Sequence, residues 1–292
     1  MTLAPADSAL LDAVRPIRWL GRKRAPAGLA GHHLSRTLGV SPEFTEYREY
    51  RQGDDPRRID WKVLARSDRA YLRLSNDRTV LPTVLVVDAS GSLAYPSQTL
   101  EKWRHARLLA IGLAAAAHRA GDPVGLLVAT ATGPRRLPLR ARRGTVHDIA
   151  NALADVVPGG SPELTPLLRV FRSPRRVAIV TDLLGDTDAL LKAGAELAAS
   201  GREVYLVHLV HPAELDPPRQ TLLLEDPERR DLKRLLADAT RQRYVDTFRA
   251  WRAAQARAWR GAGVYYTEVV TDELPARSVR RIVTPTLAGI RR

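Results

Sequence analysis

The sequence predicts an α/β protein with a doubly wound, mostly parallel sheet, preceded by a small strand-rich N-terminal module. Three observations predict it. From Pro82 onward, short β-branched and leucine runs alternate with amphipathic helical stretches, the pattern of strands joined by crossover helices. The first run, Thr83 to Val87, is β-branched or leucine at every position, as a strand covered on both faces must be. Between Gly31 and about Asp77 the chain is instead dense in opposite charges and in the aromatics Tyr47, Tyr50, Trp61 and Tyr71.

Residues 1–30 read as a peripheral segment, a helix from Ser8 to Trp19 broken by Pro16 and then a Gly/Pro/Ala-rich link. Residues 31–79 form the N-terminal module. In it Asp54-Asp55-Pro56 predicts a helix start, because a carboxylate caps free N–H groups and Pro suits the first turn; a short helix through Ile59, Val63 and Leu64 follows. Ala70 to Leu74 alternates as a half-buried strand.

Residues 80–292 form the main domain. After the strand Thr83 to Val87, a helix is expected from about Pro96-Ser97 to Gly121, its seam Trp103, Ala106, Ala110, Leu113 and Ala117 facing the sheet. Further strands are expected at Val124–Ala129, Arg136–Leu139, Val177–Thr181, Val204–Val210 and Val264–Val270. Helices are expected over Asp186–Ala199, about Asp231–Trp259 and Pro275–Ile290, the first two ending at Gly201 and at Gly261-Ala262-Gly263.

Composition narrows the function classes. Cysteine is absent, which removes disulfides, thiolate metal sites and a cysteine nucleophile, and suits the cytoplasm. The first twenty residues lack the apolar run and cleavage site of a secretory signal, and Leu108–Ala117, the longest apolar run, is too short to span a bilayer. The formal net charge of +14 raises nucleic acid as a partner, but the basic residues are dispersed among acidic ones and only five of the 46 are lysine. Aromatics are too few for a stacking platform.

The sharpest chemical feature is Asp88-Ala89-Ser90-Gly91-Ser92, directly after the most hydrophobic strand. Open α/β sheets bind ligands outside the carboxyl ends of their strands. One carboxylate and two hydroxyls on a tight turn present hard oxygens of the kind Mg²⁺ takes. Alone the pentapeptide is weak, because Asp, Ser and Gly populate any strand-to-helix turn. Two later segments strengthen it: Gly159-Gly160-Ser161, which offers another hydroxyl, and Thr181-Asp182, which ends a strand with another carboxylate.

The order Asp88-x-Ser90-x-Ser92, Gly160-Ser161, Thr181-Asp182 resembles the three-loop metal-ion-dependent adhesion site of von Willebrand factor A domains. The resemblance implies a cation, Mg²⁺ or else Mn²⁺ or Ca²⁺, on Asp88, Ser90, Ser92, Ser161 and Asp182, the last often acting through water. Ser161 stands where that family uses Thr, and Thr165 is a nearby substitute. The N-terminal module carries a second likeness. Glu43-Phe44-Thr45-Glu46-Tyr47-Arg48-Glu49-Tyr50, Gly53-Asp54-Asp55-Pro56-Arg57-Arg58-Ile59-Asp60-Trp61 and Ala65-Arg66-Ser67-Asp68-Arg69 resemble the hallmark of the bacterial domain-of-unknown-function family fifty-eight, over roughly Gly31 to Asp272. That resemblance implies a binding protein without catalysis, partnered with a MoxR-type AAA+ ATPase and an unknown client in assembly or chaperone-like work.

The charged residues of the hallmark are either an ion-pair network fastening the module or a docking surface for the ATPase. Two other function classes remain beside the binding reading: a metal-dependent hydrolase at the same three loops, and an Arg-rich nucleic-acid binder. Enzyme signatures are otherwise missing, with no second Asp after Asp88 for a haloacid dehalogenase phosphatase, no Gly-x-Ser-x-Gly elbow and no phosphate loop. His32-His33 are adjacent and would point apart on a strand, and His208 with His211 has no third donor in view for a zinc site.

Overall fold

The computed structural model describes residues 3–21, 30–39, 46–52, 54, 56, 59–67, 69–170, 174–218, 223–225, 233–235 and 238–284. The chain divides into two compact units, residues 20–81 and residues 1–19 with 82–292.

The larger unit is built on a six-stranded sheet. Its strands are β4 (Thr83–Asp88), β5 (Val124–Ala129), β6 (Arg135–Arg140), β7 (Arg176–Thr181), β8 (Glu203–Val210) and β11 (Tyr265–Val270), in the order β11-β8-β7-β4-β5-β6. All neighbours are parallel except β6, which runs antiparallel to β5. Each expected strand of this sheet is present to within one residue at either end. Alternate side chains serve two cores. Leu85, Val87, Leu126, Val128, Ala178 and Val180 enter one, while Val84, Val86, Leu127, Ala129, Val177 and Ile179 enter the other. A strand needed on both faces can spare no polar position, which is why the run at β4 is unbroken.

On the first face lie α1 (Pro5–Ala13), α3 (Glu101–Arg119), α4 (Thr145–Ala154) and α9 (Pro275–Val283). On the second lie α5 (Thr165–Val170), α6 (Thr187–Ala199) and α8 (Asp238–Gly261). The seam Trp103, Ala106, Ala110, Leu113 and Ala117 of α3 is buried. That helix begins later than expected, at Glu101, because Thr99 and Leu100 donate back to the Pro96 carbonyl and Leu100 takes a left-handed φ of 51°.

Two expectations are corrected. The N-terminal helix ends at Ala13. The segment read as peripheral is core, with Leu10, Val14, Ile17 and Trp19 buried in the first-face cluster. Trp19 donates its backbone N–H to the Ala116 carbonyl at 3.0 Å, so the segment is fixed to α3. The long helix also begins at Asp238 rather than near Asp231, since Lys233–Leu235 (β10) pairs antiparallel with Leu223–Glu225 (β9). A leucine-rich stretch this short has no period that tells strand from helix. The last helix ends at Val283, where Thr284 leaves the helical conformation with φ −120° and ψ 67°, and residues 285–290 of the expected span lie outside the described residues.

The end of the sheet away from the strands' carboxyl termini is closed by a buried ionic cluster. Arg176, the first residue of β7, bonds Glu203 and Asp122, each at 3.2 Å, and its guanidinium lies 4.5 Å from the Trp19 ring centroid. Arginine suits this place because its planar fork both reaches two carboxylates and stacks on an aromatic face.

The smaller unit holds an antiparallel sheet of order β1-β3-β2, made of β1 (Ala30–Gly39), β2 (Glu46–Glu49) and β3 (Tyr71–Thr79), and the helix α2 (Trp61–Ser67). The cap of α2 is Asp60 rather than Asp54. Asp60 Oδ1 accepts from the N–H groups of Lys62 and Val63 at 3.0 and 3.2 Å, whereas Asp54 accepts from the Arg51 N–H at 2.9 Å. Of the hallmark, Glu43, Phe44, Thr45, Gly53, Asp55, Arg57, Arg58 and Asp68 lie outside the described residues.

Candidate functional site

The sheet order places β4 between β5 and β7, so the crossovers leaving β4 and β7 run in opposite directions and open a crevice at their carboxyl ends. Three loops meet there. The first follows β4: Asp88 and Ala89 lead into a single 3₁₀ turn, Gly91–Ala94. The second, through Gly159 and Gly160, is stitched to it by two backbone bonds of 2.8 Å, Gly91 N–H to the Gly160 carbonyl and Gly159 N–H to the Ala89 carbonyl. Gly160 is required at its position. Its φ is +64°, and a Cβ would stand 2.9 Å from that of Ala131. The third loop follows β7, where Leu183 takes a φ of 59° that only a well-determined site imposes on a leucine.

The side chains converge on Asp88, which is buried. Its Oδ1 accepts from the Ser90 N–H at 2.9 Å and its Oδ2 from the Thr181 hydroxyl at 2.7 Å. Ser90 and Ser92 are also buried, their hydroxyl oxygens 3.1 Å apart. Burial, and next the nearby Asp182 carboxylate, push the Asp88 carboxyl up from 3.8 to about 6, against the lowering effect of its hydrogen bonds. Asp88, Ser90, Ser161, Thr165 and Thr181 line one cavity of about 590 Å³, whose flank carries Leu164, Leu183 and Leu190.

Asp182 turns elsewhere. Its Oδ2 accepts from the Lys102 ammonium at 2.5 Å, and its Oδ1 from the Leu184 N–H at 3.3 Å. Lys102 also donates to Glu214 Oε1 at 2.8 Å. Burial alone would pull the ammonium down, but Asp182 and Glu214 together hold it above the ordinary lysine value. Glu214 sits on α7 (Pro212–Leu215) and accepts from the His211 N–H at 2.6 Å.

Of the five expected ligands, Asp88, Ser90 and Ser92 are therefore gathered into one cluster, Ser161 lines the same cavity, and Asp182 stands behind it on a lysine. Thr165 lines the cavity beside Ser161. The Thr181 hydroxyl, Lys102 and Glu214 join the site without being among the expected ligands. One signal was present for Lys102, a lysine in a chain whose basic residues are almost all arginine. The two histidines near this end have local partners, His208 the Tyr266 hydroxyl at 2.6 Å and His211 the Glu101 carboxylate at 2.7 Å. Among the described residues no three His, Cys, Asp or Glu side chains group as a metal site, so hydroxyls must supply much of any ligand set here.

The family model described as "Protein of unknown function DUF58" matches residues 46–254. The chain belongs to the DUF58 family. It is 30% identical over 279 residues to an uncharacterized protein of Mycobacterium tuberculosis strain H37Rv, covering 91% of this chain and 86% of that one. The same identity and coverage hold for an uncharacterized protein of Mycobacterium bovis. Among solved structures, this DUF58 chain is similar to the conserved hypothetical protein BatB of Bacteroides thetaiotaomicron, with TM-score 0.42 and 16% identity over 69% of this chain and 98% of that one. It is also similar to the SpRpn10 VWA domain, with TM-score 0.40 and 11% identity over 71% and 96%. Among the described residues no helix is long and apolar enough to cross a membrane.

Proposed function

We propose that this DUF58 chain is a non-catalytic protein-binding module whose docking site is completed by a divalent cation, Mg²⁺ before Mn²⁺ or Ca²⁺. The observation that carries the reading is the convergence of Asp88, Ser90, Ser161, Thr165 and Thr181, from three loops, on one cavity at the switch point of the sheet. The donors fit the ion. Oxygens about 2.1 Å from Mg²⁺ at adjacent octahedral corners are about 3.0 Å apart, and the Ser90 and Ser92 hydroxyls stand at 3.1 Å. Asp88, Ser90 and Ser92 would hold the cation, with Ser161 or Thr165 from the second loop and Asp182 behind. The cation would supply a Lewis-acidic point for an outside anion. It would also offset the burial that chiefly raises the Asp88 carboxyl and the repulsion from Asp182 that adds to it.

Hydroxyl ligands are neutral, so a bound cation keeps positive charge and favours a carboxylate from a partner. The flank of Leu164, Leu183 and Leu190 suits apolar neighbours of that acidic residue. The partner class proposed is a MoxR-type AAA+ ATPase, which rests on membership of the family, and the location proposed is the cytoplasm. The test is binding of the purified protein to a MoxR-type ATPase from the same cell, measured by calorimetry in Mg²⁺ and in EDTA, for wild type and Asp88→Ala. Binding lost in EDTA and in the variant supports the reading. Binding indifferent to both overturns it, and turnover of generic phosphate esters that disappears in Asp88→Ala replaces it with a hydrolase.

A further inference from the structure

We infer that Lys102 is a fixed internal counter-cation that sets the divalent affinity of this site and keeps it weak in the isolated protein; the inference rests on the cation-site reading above. Lys102 is the second residue of α3 and its side chain is wholly buried. Its ammonium bridges Asp182 at 2.5 Å and Glu214 at 2.8 Å. Both carboxylates are held from behind, Asp182 by the Leu184 N–H and Glu214 by the His211 N–H, so neither is at leisure to swing away.

The electrostatic consequence follows from the count of charges. Asp88, Asp182 and Glu214 bring three carboxylates to this end of the sheet, and Lys102 cancels one of them. Because the ammonium sits on Asp182, a divalent cation at Asp88 meets one charged ligand in front and a neutralised pair behind. A tethered cation cannot diffuse off when the ion arrives, as a monovalent counterion would. Glu214 moderates the effect by drawing the ammonium partly to itself. Lys102 brings its charge here as a compact point, with three donors on one nitrogen, where the fully buried Arg176 at the other end of the sheet spreads its charge over a planar fork.

The inference predicts shifts of opposite sign at two positions, which a purely structural lysine would not give. Mg²⁺ alone, and Mn²⁺ alone, are titrated calorimetrically into the full chain as wild type, Lys102→Met and Glu214→Gln. Lys102→Met is expected to bind at least about tenfold tighter, since a unit charge near a divalent ion in a buried setting is worth that or more. Its metal-free form is expected to melt lower and to recover more with Mg²⁺ than wild type does. Glu214→Gln keeps the Lys102–Asp182 pair and one oxygen to accept from the ammonium, at the loss of the bond from the His211 N–H, so it serves even if Lys102→Met does not fold, and it is expected to bind about threefold weaker or worse. Metal binding in Lys102→Met where wild type shows none also supports the inference. Wild-type binding with neither variant shifted overturns it and leaves the cation-site reading standing. No binding in any of the three overturns that reading, and the inference with it.

Discussion

Replacing Asp88 by Asn is expected to abolish cation binding while leaving the metal-free protein as stable as before, or more so. The carboxyl is raised from 3.8 to about 6, chiefly by burial. At neutral pH its ionised form therefore opposes folding by about 3 kcal/mol, at roughly 1.4 kcal/mol for each of about two pH units. Asn removes that charge but has a single acceptor oxygen, so one of the bonds from the Ser90 N–H and the Thr181 hydroxyl is lost, at about 1–2 kcal/mol. The net is a gain of about 1–2 kcal/mol above pH 7. The pH dependence follows from the direction of the shift. A native carboxyl that titrates above its unfolded value binds more protons folded than unfolded between about 4 and 6, so wild-type stability falls as pH rises through that window and is level beyond it. The advantage of Asp88→Asn should accordingly be absent near pH 4, grow to pH 6 and then hold. Urea denaturation in EDTA at a series of pH values measures it. A loss of more than about 2 kcal/mol at pH 7.5 would refute the reasoning, since Asp88 would then be a structural anchor rather than a strained ligand.

In wild type, Mg²⁺ affinity should fall about tenfold per pH unit below pH 6, because the ion competes with the Asp88 proton, and calorimetry between pH 5 and 8 checks this. Trp19→Ala should cost about 3–5 kcal/mol and lower Tm by roughly 10 °C. It opens a cavity under the Tyr205 ring, 4.8 Å away, and removes the face on which Arg176 lies. Thermal melting decides, and a change under about 1 kcal/mol would mean that residues 1–19 are not core.

Legibility of the sequence tracks the range of the forces involved. Four strands of the main sheet, β4, β5, β7 and β8, could be read because each is a mainly apolar run, rich in valine and leucine, buried on both faces, whereas the edge strands β6 and β11 are only partly buried and show in the sequence as shorter mixed runs. The first and third loops could be read because a carboxylate at the end of such a strand can only lie at the sheet's carboxyl edge. Gly160 announced the second loop, and its φ of +64° is the reason a glycine stands there. The helix cap in the smaller unit was read one motif too early, since Asp54 and Asp60 are chemically equal candidates and only the backbone path decides which faces free N–H groups.

What the sequence by itself determined is thus the α/β class, the strands of the main sheet and the three oxygen-bearing loops. What only the tertiary structure decided is where each oxygen points. Lys102 finds Asp182 across 80 positions and Glu214 across 112, and the N-terminal segment finds Arg119 and Ala116 across more than 90. Such pairings leave no period or spacing in the chain, because they are chosen by the cost of burying an unpaired charge, and that cost exists only once the core has closed around it.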